Sequence, residues 1–116
     1  MSTSSDHLPS EWTATLAGWA ADRPEIAELW LYGSRVKGSA RPDSDLDIAV
    51  LLTSASDLSK VIRQARSLED SLQGILPVPV DFDVMNSGYL GDDILAEIVE
   101  HGRLVFRREK RDNEHP

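Results

Sequence analysis

Apolar residues return every three to four positions at Trp12, Leu16 and Trp19–Ala20, then crowd together in the run Ile26–Tyr32. The first pattern predicts a helix that starts near Pro9 or Ser10 and is ended by Asp22-Arg23-Pro24. The second predicts a strand that runs directly into Gly33-Ser34. Residues 33–44, GSRVKGSARPDS, are rich in Gly, Ser and Pro and predict a loop or a short helical turn. Leu46–Leu52 is nearly all apolar and predicts a second, mostly buried strand. Asp57 is placed to cap a helix through about Leu72, with Leu58, Ile62, Ala65, Leu68 and Leu72 as its inward stripe and Gly74 closing it. Val78–Met85 predicts a third strand, and Pro77 and Pro79 mark an edge or an irregular entry there. After the turn Asn86-Ser87-Gly88, a helix from Asp92 or Asp93 to about Glu100 is expected to bury Ile94, Leu95, Ile98 and Val99. Gly102 stops it, and Arg103–Phe106 makes a short last strand. Helices and strands in this order predict one α/β layer domain over residues 9–107, between a disordered stretch at 1–8 and a flexible charged tail at 108–116.

Length and charge narrow the chemistry. A chain of 116 residues fits a single domain. The absence of cysteine excludes a disulfide framework, a thiolate zinc site and a thiol nucleophile. Twelve basic against 20 acidic residues give a formal charge of 12 − 20 = −8, which argues against direct binding to nucleic-acid backbone. No apolar run approaches the roughly 20 residues of a membrane span, so neither a membrane nor a secretory route is implied and the cytoplasm is the expected location.

Five acids stand out by position. Asp45 and Asp47 open the second strand at i, i+2, with Asp43 just ahead, and Asp81 and Asp83 lie inside the third at the same spacing. Strand side chains alternate faces, so each pair points to one side, while Leu46, Ile48 and Val50, or Val80, Phe82 and Val84, point to the other. If the strands are neighbours, three or four carboxylates converge with no Lys or Arg in either strand. Their repulsion favours a divalent cation among them, and oxygen ligands suit Mg²⁺, as one ion or as a pair about 3.5–4 Å apart. The competing reading is an exposed sheet face whose acids are merely solvated. The upstream loop favours the first reading. Gly33, Ser34 and Gly38 allow backbone N–H groups to approach a phosphate, and Arg35, Lys37 and Arg41 put three cations in an otherwise acidic chain.

The string G33-S34-x3-G38-x5-S44-D45-L46-D47 resembles the defining motif of the nucleotidyltransferases that share the catalytic fold of DNA polymerase beta. GSRVKGSARPDSDLDIAVLL as a whole, VDFDVMN after it and the EHGRLVF ending resemble the minimal nucleotidyltransferases (MNT), over roughly residues 26–107. The resemblance implies a small mixed sheet with helices packed against it, ATP as nucleotide donor and two Mg²⁺ ions. It implies that Gly33 and Ser34, with Arg35, Gly38 and Ser44 around them, hold the triphosphate. Asp45 and Asp47 would ligate both metals, with Asp81 or Asp83 as third carboxylate. Counted back from Asn86 the family position falls on Asp81, which would also help deprotonate the acceptor. It further implies an antitoxin that transfers AMP to a hydroxyl, typically a tyrosine's, of a HEPN-domain ribonuclease toxin, the shortness of the chain leaving the acceptor to a partner. The alternative is an MNT-like antitoxin that neutralises its toxin by binding alone. Trp12, Trp19 and Trp30 serve either the core or such a partner, and His101, before Gly102, suits the end of a helix dipole.

Overall fold

A computed structural model describes residues 8–38, 40–41, 43–55, 57–88 and 90–109. Its elements run α1 (Ser10–Ala21), β1 (Ile26–Tyr32), α2 (Ser34–Lys37), β2 (Leu46–Leu52), α3 (Leu58–Gln73), β3 (Val80–Val84), α4 (Asp92–His101) and β4 (Arg103–Arg107). The strands form one mixed sheet in the order β3-β2-β1-β4. β1 is antiparallel to both β2 and β4, whereas β2 and β3 run parallel, joined through α3.

Alternation explains the layers. Leu29 and Leu31 of β1 and Leu46, Ile48 and Val50 of β2 are fully buried, and they meet Leu16 of α1 and Leu72 of α3 in one core. Ala49 is buried on the other face, and Ile98, also fully buried, brings α4 against β1. Trp19 belongs to the core and donates its Nε1 hydrogen to Ser71 Oγ at 3.0 Å. Trp12 packs against the core's margin, and Trp30 donates to Glu28 Oε1 at 2.8 Å.

Side chains fasten the ends of the parallel pair. Gln73, in the last turn of α3, donates to the Val78 carbonyl (2.9 Å) and accepts from the Val80 amide (2.9 Å), steering the proline-containing entry into β3. Asn86 both accepts from the Leu52 amide (3.1 Å) and donates to its carbonyl (3.0 Å), locking the far end. Asp57 caps α3 as expected, accepting from the amides of Ser59 and Lys60 at 3.0 and 3.3 Å.

Several expectations are corrected. The inward stripe of α3 is centred on Val61, Leu68 and Leu72, with Ala65 partly buried. Leu58 and Ile62 are 47% and 40% exposed, because they lie to one side of the line that those residues draw at 3.6 per turn. In α4 only Ile98 is buried, while Ile94 and Val99 reach solvent, since the helix packs chiefly on a single strand. β3 is confined to Val80–Val84, two residues in from the expected start, where the prolines stand. Leu8 is buried in the core rather than disordered, and residues 1–7 lie outside the described residues. Arg108 does not begin a free tail. Its guanidinium donates to the carbonyls of Ile26, Ala20 and Arg23 at 2.9–3.1 Å, and the expected tail at 110–116 lies outside the described residues.

Leu68→Ala is expected to lower the unfolding free energy by about 2–5 kcal/mol in urea titrations. Leu58→Ala should cost less than about 1 kcal/mol, because that side chain is half exposed.

Candidate active site

The parallel register of β2 and β3 sets Asp47 opposite Asp81 and Ala49 opposite Asp83. All three aspartates therefore project from the face of the sheet that the main core leaves open. On the other side of β2, Tyr32 is the register partner of Asp47, and its hydroxyl reaches across to donate to Asp83 Oδ2 at 2.7 Å. Asp45 is exposed, just ahead of β2. Tyr32 was not singled out in the sequence, although its place on the even-numbered face of β1, next to Gly33, is the signal that could have done so.

Charge repulsion and partial burial dominate this patch. The Asp47 carboxyl is pushed up to about 7, first by desolvation and then by Asp81, with Asp45 and Asp83 adding to the shift. Asp81 is also raised, by desolvation and by Asp83, but the hydrogen bond from Asp47 works in the opposite direction. Desolvation and mutual repulsion thus make it hard for both carboxyls to be ionised at once. The Tyr32 hydroxyl is held well above its ordinary range by burial, by its bond to Asp83 and by the neighbouring charges.

Gly33 lies hard against this pair. Its φ of 82° and ψ of −159° form a combination open almost only to glycine, and a Cβ there would overlap Asp47 Oδ2. Ser34 opens α2, and its hydroxyl has no partner among the described residues. Other residues of the loop serve the loop itself. Gly38, at φ 84°, caps α2 in the left-handed region and reverses the chain. Ser44 Oγ accepts from the Arg41 amide at 2.8 Å and the Ser44 amide donates to the Arg41 carbonyl at 3.0 Å, bracing the turn. Arg35, expected beside phosphate, is only 3% exposed and donates to the Ser44 and Arg41 carbonyls. Lys37 pairs with Glu97 at 2.8 Å.

Among the described residues, no three acidic or imidazole side chains converge as a ready-made metal cluster. The expected triad of Asp45, Asp47 and Asp81 is thus present as a contacting pair with an exposed third acid nearby. Such a pair still fits magnesium, which is commonly held by one or two carboxylates with water and substrate phosphate oxygens completing its shell.

A small mixed sheet with paired acids at the start of two parallel strands, beside a Gly-Ser turn, is the arrangement expected of a nucleotidyltransferase fold. The chain belongs to the polymerase beta nucleotidyltransferase family, whose model matches residues 15–111. It is 35% identical over 81 residues to the protein adenylyltransferase MntA of Thermococcus cleftensis, spanning 67% of this chain and 77% of that protein. A chain from a toxin–antitoxin crystal structure with AMP-PNP aligns with a TM-score of 0.60 at 22% identity, covering 88% of this chain and 77% of its own. A chain from the complex of tri-AMPylated Shewanella oneidensis HEPN toxin with MNT antitoxin aligns with a TM-score of 0.56 at 20% identity, covering 90% and 76%. At those identities the two structures speak for the fold.

Gly33→Ala is expected to destabilise the protein by about 1–3 kcal/mol through its backbone conformation, with the collision against Asp47 added. Chemical denaturation measures it. Because the folded-state pKa of Asp47 is raised, its contribution to stability is fully present below the unfolded value near 4 and is lost as pH rises through about 7. With EDTA present, wild type should therefore lose thermal stability relative to Asp47→Asn between pH 4 and pH 7. A difference that stays flat with pH would contradict the assignment.

Proposed function

We propose that the chain is a magnesium-dependent protein adenylyltransferase that acts in the cytoplasm as an antitoxin. It transfers AMP from ATP to a hydroxyl, a tyrosine's by resemblance, on a HEPN-domain ribonuclease toxin and so inactivates it. Family membership and the relative named protein adenylyltransferase support this reading. The single observation that carries it is the parallel register that holds Asp47 against Asp81 beside Gly33.

Magnesium, when bound, supplies the positive charge that lets a triphosphate approach an acidic face and that disperses charge on the leaving pyrophosphate. Asp47 and Asp81 are the residues that would hold it, with Asp45 as the exposed third. Gly33 brings its backbone close beside Asp47, where its amide could approach a phosphate, and the Ser34 hydroxyl offers a further donor. Asp81 is the more exposed of the pair, so it is the group an incoming acceptor hydroxyl can reach and to which it can give its proton. Asp83 is engaged by Tyr32, which favours Asp81 over Asp83 as the third carboxylate. The acceptor oxygen then attacks the α-phosphorus, the α–β bridging P–O bond breaks, and pyrophosphate departs. Positioning and charge compensation carry the rate.

The decisive experiment mixes the protein with a purified HEPN partner, ATP and Mg²⁺, and weighs the partner by intact mass spectrometry. The partner is expected to gain one or more AMP groups and to lose ribonuclease activity. Asp47→Ala should slow that gain by roughly 10²–10³-fold or more, and Asp83→Asn should slow it far less. An unshifted partner mass, with inhibition surviving Asp45→Ala plus Asp47→Ala, would establish neutralisation by binding alone.

A further inference from the structure

We propose that Arg35 and Trp12 form a positioning clamp on the loop that delivers Asp45, and that Arg35 does not bind the nucleotide's phosphates. The loop leaves α2 at Gly38, where the left-handed backbone turns the chain back, and returns to the sheet through Arg41 and Ser44, directly before Asp45. Arg35 lies inside that return. Its Nε and Nη2 hydrogens both point to the Ser44 carbonyl, at 3.1 and 2.7 Å, and Nη2 also reaches the Arg41 carbonyl at 3.5 Å. From α1, Trp12 lies against the guanidinium, whose Cζ is 5.2 Å from the centre of its ring.

A guanidinium so nearly removed from water is stable only while its donors are met, so these contacts fix its position. Two carbonyls three residues apart are thereby gripped by one rigid fork whose central carbon lies over an indole. Ser44 and Arg41 already brace each other, so the grip acts on a stiff turn and passes to the next residue, Asp45. A lysine supplies a point charge but neither the fork nor the flat face. Arg35 and Trp12 are therefore positioning residues, and α1 takes part in the site without touching it.

The kinetic test rests on the nucleotidyl-transfer reading, whereas amide hydrogen exchange tests the clamp independently. Arg35→Gln and Trp12→Ala are each expected to lower kcat for AMP transfer by about 30–100-fold, with KM for ATP changed less than about threefold. Trp12→Phe should restore most of the rate, and Arg35→Lys should not. Amides of residues 43–46 should exchange faster in Arg35→Gln and Trp12→Ala, while those of α3 keep their protection and so report an intact fold. A KM for ATP raised tenfold or more in Arg35→Gln, with kcat kept and exchange at 43–46 unchanged, would make Arg35 a phosphate ligand and overturn the clamp. Unchanged exchange in both variants would also overturn it. A wild-type protein that transfers nothing would defeat the functional reading, and the exchange measurement would still decide the clamp.

Discussion

Two strands laid side by side in the same direction, with acids at matching positions, leave like charges no way to separate. That constraint governs this molecule. The register that pairs Leu46 with Val80 and Val50 with Val84 is fixed by burial on the core face, and it obliges Asp47 to stand beside Asp81 on the other face. The conflict raises both carboxyls above their ordinary range, and either a proton or a cation between them would relieve it. The neighbours conform to the pair: Gly33 gives up its side-chain volume to Asp47, and Tyr32 reaches over to hold Asp83.

The site is thus asymmetric. On one side is a pair of acids whose charges oppose each other, and on the other a tight turn in which the first glycine makes space and the second reverses the chain. Of the three cations nearby, Arg35 is engaged with loop carbonyls and Lys37 with Glu97, while Arg41 is exposed. An acidic face of this kind repels an anion unless a cation offsets its charge.

Much of this was legible in the sequence, for physical reasons. Strand alternation placed Asp47, Asp81 and Asp83 on one face before any contact was known, while Asp45 falls just ahead of β2. The runs Ile26–Tyr32 and Leu46–Leu52 have the predicted bounds because both are densely apolar. Helix faces were less legible. An apolar residue such as Leu58 or Val99 carries no mark of whether a neighbour will arrive to cover it, and α4 meets chiefly one strand. The contacts of Arg35 were hidden for a related reason. A cation beside a glycine-rich loop reads as a phosphate ligand, and nothing in the sequence marks that the Ser44 and Arg41 carbonyls lie within its reach.

β3 is an outer strand of the sheet, and among the described residues one of its sides has no partner strand. Open edges invite pairing with other chains, and inward charges or prolines discourage it. β3 carries both, with Pro77 and Pro79 at its entry and Asp81 and Asp83 along its five residues. A second chain adding itself there would have to align its own strand against an unneutralised acid row. The acids proposed for chemistry thus also discourage the sheet from growing, and exchanging them for apolar residues would remove a guard against aggregation.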